Sequence, residues 1–187
     1  ITHLGRRGEP YQGHWLPTIG PSAIRETLHR SFPKEMDHHD ITRVVEAYGA
    51  AARRCKEGGL DGIETLGDSP LIGQFLSPAM NKRTDDYGGS LENRCRFGLM
   101  VFEEIRRQAG DEFLVGFRCA VDEAMQDGLS QEECIETAHI FERSGLIDFF
   151  NGNYGRMDTL LGLAVDNMPG MASPNAPGVK RNGEFKQ

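Results

Sequence analysis

Arg118 is the side chain that most constrains the chemistry of this 187-residue chain. It lies in Phe113-Leu114-Val115-Gly116-Phe117-Arg118-Cys119, a run apolar on both sides. Such a run fits a parallel β-strand covered on both faces. Strand alternation puts Leu114, Gly116, Arg118 and Ala120 on one face, and the two small residues leave space around the guanidinium. Taking a guanidinium out of water is expensive unless anionic or acceptor groups meet it. Two partners fit: a cofactor with a delocalised anion, or the carboxylate of Glu64 on the preceding strand. The second would be a purely structural ion pair. His3 stands at another strand end, before Arg6 and Arg7. It could contact a cofactor, act as a general acid, or simply be hydrogen-bonded in place.

Other polar residues carry less. Asp68, Asp122 with Glu123, and Asn151 with Asn153 follow strand-like runs. A metal-dependent hydrolase using His3 and Asp68 lacks clustered His/Asp spacing, so no metal site is expected. His38 and His39 are adjacent in a first helical turn and do not share a face, which argues against a metal pair there. Arg83, Asp85, Asp86, Glu92, Asn93 and Arg94 read as a loop pinned by ion pairs and a helix cap. Trp15 with Tyr11 reads as a loop anchor. No Ser-His-Asp or Cys-His pairing, HExxH motif or phosphate loop is present.

The elements that must position these groups alternate. Ile1 to Leu4 is a candidate strand, followed by a Gly/Pro-rich loop to about Lys34. Asp37 caps a helix whose apolar face is Ile41, Val44, Val45, Tyr48, Ala51, Ala52 and Cys55, stopped by Gly58-Gly59. Gly62 to Leu66 is a short strand. A long loop follows, to Ser90, which caps a helix with Leu91, Cys95, Gly98, Phe102, Ile105 and Ala109 on one face. After the Arg118 strand, Ser130-Gln131-Glu132-Glu133 is a capping box opening a helix that Gly145 closes. Ile147 to Asn151 is a fourth strand. From about Gly152 the chain is irregular in composition, rich in Gly, Pro, Asn and Met.

This β-α-β-α-β-α-β order implies a parallel α/β sheet with right-handed crossovers. A doubly wound sheet usually brings a Gly-rich phosphate turn, and none is found. Polar residues just past strand ends suit a (β/α)8 TIM barrel. A full barrel takes about 250 residues, so the chain is expected to be a partial barrel, about strands 3 to 6, over 1–187, with a loop-rich tail at 152–187. Its outer strands would be bare edges.

Composition narrows the setting. Lys and Arg total 21 against 28 Asp and Glu, a net charge of −7, which argues against a nucleic-acid partner. No apolar run approaches the ~20 residues of a membrane span, and no signal peptide is read. Cys55, Cys95, Cys119 and Cys134 are widely spaced, without CxxC, as expected of reduced thiols in a cytoplasmic protein.

The segment Gln74-Phe75-Leu76-Ser77-Pro78-Ala79-Met80-Asn81-Lys82-Arg83-Thr84-Asp85-Asp86-Tyr87-Gly88-Gly89-Ser90-Leu91-Glu92-Asn93-Arg94 resembles the Old Yellow Enzyme family of FMN-dependent oxidoreductases. His3-Leu4-Gly5-Arg6, Gly20-Pro21-Ser22-Ala23-Ile24, Pro33-Lys34-Glu35-Met36, Asp61-Gly62-Ile63-Glu64 and Val115-Gly116-Phe117-Arg118 fall in the family's order, so the resemblance covers about residues 1–151. It implies an FMN-binding (β/α)8 barrel. Arg118 is similar to the family Arg at the flavin N1/C2 carbonyl edge, and His3 is a weaker cofactor candidate. A fixed cation there would stabilise negative charge gathered on reduction.

One family pattern is absent. Many family reductases carry His-x-x-His/Asn-x-Tyr after the fourth strand, and here Leu66, Ser69 and Leu71 occupy those positions. Leu offers no side-chain hydrogen bond, so an enoate oxyanion loses its clamp, costing a few kcal/mol by analogy with oxyanion-hole deletions (~3 kcal/mol). The reading therefore favours N-methyl or other amine oxidation, demethylase-like, over enone reduction, with Leu66, Ser69, Leu71 and Asn151 on the substrate side. The chain is similar to the branch holding trimethylamine dehydrogenase, dienoyl-CoA reductase and related demethylases. That resemblance implies a small-molecule substrate, NAD(P)H as a candidate electron donor, an Fe–S cluster in a C-terminal part and a full-length protein able to form a homo-oligomer. The fragment alone is expected to be inactive. The alternative is a non-catalytic binding barrel with a decayed flavin site.

Overall fold

Local electrostatics set the first long helix. Asp37 accepts a hydrogen bond from the Asp40 amide and Asp40 returns one from the Asp37 amide, a complete capping box. The Lys34 ammonium, followed by the Asp40 amide, holds the Asp37 carboxyl down at about 2. The computed structural model describes residues 1–8, 17–27 and 30–156. Tyr11, Trp15 and the tail past 156 lie outside the described residues.

The order is β1 (Ile19–Gly20), β2 (Lys34–Glu35), α1 (His38–Glu57), β3 (Gly62–Leu66), α2 (Leu71–Leu76), α3 (Leu91–Ala109), β4 (Leu114–Asp122), α4 (Gln131–Arg143) and β5 (Phe149–Tyr154). Ser90 caps α3 through the Asn93 amide, and Ser130 with Glu133 forms the capping box of α4. All three caps stand where the sequence puts them.

β3, β4 and β5 pair in parallel, in chain order, with no switch point. One face of β4 (Val115, Phe117, Cys119 and Val121) is buried. Phe117 meets the rings of Phe102 at 5.2 Å and Phe141 at 4.9 Å, and Phe75 stacks on Phe97 at 4.2 Å. The opposite face is only partly covered: Leu114 is 51% exposed and Phe149 on β5 is 44% exposed, while Gly116 and Ala120 are buried. Parallel strands in sequential order, with helices on one face and a partly covered inner face, make up a segment of a (β/α)8 barrel. The expectation that β4 is covered on both faces holds in full only for the helix side.

Four local expectations change. Ile1 to Leu4 is not a strand. Ile1 bonds to Glu64 and Leu66 alongside β3, but the His3 carbonyl turns to the Leu71 amide and the ladder ends. β5 starts at Phe149, not Ile147, because Asp148 anchors the approach through bonds to the Val115 amide and Arg106. It runs on to Tyr154, into the stretch assigned to the irregular tail, because Gly152 and Asn153 find partners along β4. The loop before Ser90 contains α2, whose six residues are all buried. A helix buried all round has no polar stripe to reveal its period. The Gly/Pro-rich loop holds β1 and β2, a two-residue parallel pair.

Gly98 lets α3 approach its neighbours. A Cβ there would lie 2.7 Å from the Phe141 ring and 3.2 Å from the Ile72 methyl. Gly98→Val is expected to lower the unfolding free energy by about 1–3 kcal/mol. Urea unfolding checks this; an unchanged midpoint would show that the contact yields freely.

Candidate functional site

The polar part of the inner face is built by one residue from each of three successive strands. Leu66, Arg118 and Asn151 share a register level, and Glu64, Gly116 and Phe149 form the level below. The Arg118 Nη2 lies 2.9 Å from the Glu64 Oε1, and the Asn151 Nδ2 donates to the Glu64 Oε2 at 2.8 Å. The two carboxylate oxygens are thus divided between a cation and an amide. The Arg118 Nε, though buried, has no acceptor among the described residues. The side chain is 41% exposed, so the cation is only partly compensated and open on one side. Further along, Asn153 donates to the Asp68 Oδ2 at 3.0 Å, and Ala120, opposite Asn153, adds no bulk.

The structure sets His3 apart. Its Nδ1 accepts from the Gly5 amide at 3.0 Å, and its own amide donates to the Tyr48 hydroxyl at 2.9 Å. It lines a cavity of about 90 Å³ with Val44, Ala47, Tyr48 and Ala51 of α1. Burial, then the Arg43 charge, lowers its pKa, which favours the neutral ring. Of the four positions expected to face substrate, Leu66 and Asn151 lie on the inner sheet face. Ser69 is nearly buried, and Leu71 is fully buried in the apolar core at the first turn of α2. Asn151 is on the inner face but engaged by Glu64.

The loops at the strand ends are tied by buried polar side chains. Gln74, fully buried, accepts from the Arg6 amide and donates to the Leu4 and Ser69 carbonyls. Asn81 donates to the Phe75 and Tyr87 carbonyls at 2.7 Å. Arg83 pairs with Asp85 and reaches the Pro21 and Met36 carbonyls. Arg94 holds the Leu76 carbonyl and Glu133. The charged tract is a pinned loop, as expected. Sequence reasoning missed the Glu123–Arg156 ion pair, both side chains 1% exposed. Glu123 also accepts from Ser77 at 2.7 Å and the Leu129 amide at 2.6 Å, joining the ends of β4, β5 and α2. Glu123 was visible at a strand end. Arg156 stands past a Gly/Asn-rich run with no periodicity to mark it.

An inward cation on a central strand, with polar side chains at the strand C-termini, places the chain among barrels that bind ligands at that mouth. It belongs to the NADH:flavin oxidoreductase / NADH oxidase family, whose model matches residues 4–153. It is 54% identical over 187 residues to a multifunctional alkene reductase/demethylase OYE of Caballeronia cordobensis, covering all of this chain and 27% of that protein. It is 42% identical to a probable N-methylproline demethylase of Rhizobium meliloti, covering 100% and 27%. It is 43% identical to an N,N-dimethylglycine/sarcosine dehydrogenase of Chromohalobacter salexigens, covering 95% and 26%. Among solved structures, a 2-naphthoyl-CoA reductase complex matches with a TM-score of 0.86 at 29% identity, covering 100% of this chain and 29% of that one. Morphinone reductase with tetrahydroNAD matches at 0.69 and 28%, covering 81% and 47%. The chain spans about a quarter of the length of the curated relatives named here.

Two outcomes follow for the complete gene product. Glu123→Ala takes a carboxylate from a buried guanidinium and is expected to cost about 3–5 kcal/mol, seen as a lower denaturant midpoint. His3 holds its proton less tightly when folded than its ordinary 6.5. Below that pH the unfolded chain binds the proton first, so the His3 contribution is full above it and declines as pH falls. Stability between pH 8 and 5 is expected to fall less steeply in His3→Asn than in wild type; identical slopes would contradict the assignment.

Proposed function

We propose that this chain is the central, flavin-contacting segment of an FMN-dependent oxidoreductase acting on N-methylated amines. The observation that carries the reading is Arg118: an inward guanidinium whose buried Nε has no acceptor among the described residues and whose countercharge is shared with Asn151. This donor set fits the electron-rich N1/C2 edge of a flavin. When bound, FMN supplies the ring that accepts or gives hydride. Arg118 binds and orients that edge and stabilises the charge gathered there.

The residues around it favour amines over enones. Leu66, level with Arg118, is apolar, and Ser69 and Leu71 are buried. Leu66 and Leu71 offer no side-chain hydrogen bond to an enoate oxygen, and an apolar wall suits an N-methyl group. Two of the similar proteins are named for N-methylated amino acids. Under this reading NAD(P)H is a candidate electron source, an Fe–S cluster and further cofactor contacts lie elsewhere in the whole protein, and the protein works in the cytoplasm, with a homo-oligomer allowed. Among the described residues no helix is long and apolar enough to cross a membrane.

The test is anaerobic mixing of the complete gene product with N-methylproline or N,N-dimethylglycine. Loss of the visible absorption of the oxidised flavin is the expected result. Bleaching by NAD(P)H alone, with rapid recovery on adding an enone, would instead assign plain enone reduction. A folded, colourless protein that takes up no FMN would favour a non-catalytic barrel.

A further inference from the structure

The carboxylate of Glu64 is the pivot of the inner face. One oxygen receives the Arg118 Nη2 at 2.9 Å, the other the Asn151 Nδ2 at 2.8 Å. The three residues come from three adjacent strands, so the carboxylate ties together β3, β4 and β5. It sits one register level below Arg118, opposite Gly116. A Cβ at Gly116 would lie 2.2 Å from the Phe149 ring, so only glycine fits on β4 at the level of Glu64, beneath Arg118. A guanidinium is planar with a fixed fork of donors. Pinning Nη2 from below fixes that plane and leaves the remaining donors for a ligand.

We propose that Glu64 is a positioning and tuning residue: through Arg118 it sets the flavin's reduction potential, and Asn151 adjusts how much of the carboxylate's charge Arg118 feels. This rests on Arg118 contacting the flavin. The carboxylate offsets part of the positive charge presented to the pyrimidine edge, and so opposes the negative charge that reduction places there. Asn151, by donating to the second oxygen, draws part of that charge away. A Glu64 that only tied strands together would affect stability and leave the potential where it is.

The experiment is a midpoint-potential titration of the flavin in the complete gene product. Glu64→Gln keeps the shape and removes the charge. It is expected to favour the reduced over the oxidised flavin by about tenfold, a rise of about 30 mV for a two-electron couple. Asn151→Ala keeps the ion pair and removes the charge-sharing amide, so its potential is expected to fall. The opposite signs keep the test decisive if Glu64→Gln does not fold, because Asn151→Ala then carries it. Retained flavin with an unmoved potential in the variants that fold would overturn the Glu64 assignment while leaving Arg118 as a flavin contact. A wild-type protein that takes up no flavin would overturn both.

Discussion

A cation on the inner face of a parallel strand is the constraint around which the rest of this structure is arranged. Arg118 is held there by a covalent neighbourhood it cannot leave, since Val115, Phe117, Cys119 and Val121 bury the other face of β4. The desolvation cost of that placement must be met by partners. Glu64 supplies the charge, Asn151 shares the carboxylate, and Gly116 makes room for the Phe149 ring beside them. A residue arrangement that satisfies the guanidinium only on one side leaves a directed donor set, which is what an electron-rich ligand edge requires.

The segment that resembles the family most strongly has a different task. Asn81, Arg83 and Arg94 spend their hydrogen bonds on backbone carbonyls and ion pairs of the loop between α2 and α3 and of neighbouring elements. Gln74 does the same for the turn after residue 4, where Gly5 adopts a positive φ and a Cβ would lie 2.2 Å from the Gln74 amide oxygen. These side chains fix the loops at the barrel mouth without reaching the inner face. The motif that diagnoses the family here is scaffold, and Arg118, the proposed flavin contact, lies outside it.

Much of this was legible in the sequence. Helix caps at Asp37, Ser90 and Ser130 were readable because capping is a local hydrogen-bond pattern. The apolar faces of α1 and α3 were readable because a half-buried helix shows its period. Strand alternation plus the cost of burying charge made Glu64 one of two candidate partners for Arg118, and the structure shows that pair. What was missed depends on distant contacts. α2 is buried on all sides, so its sequence has no polar stripe. β5 extends through Gly152 and Asn153 only because β4 lies beside it. Glu123 and Arg156 are separated by the whole of α4 and β5 and meet only in the folded chain. His3 reads as a strand-end residue, and its packing beside Val44, Ala47 and Tyr48 of α1 is a distant contact that no local pattern reveals.

Flavin affinity of the complete gene product in wild type, Arg118→Lys and Arg118→Ala tests the central claim most directly. If the guanidinium is the flavin's cationic contact, the dissociation constant rises at least about tenfold in Arg118→Ala, the loss of one charge-assisted hydrogen bond worth ~1.5–3 kcal/mol, with Arg118→Lys intermediate because it keeps the charge but not the fork. An Arg118→Ala protein that folds and binds FMN as tightly as wild type would contradict the account and reduce the Arg118–Glu64–Asn151 cluster to a structural tie between strands.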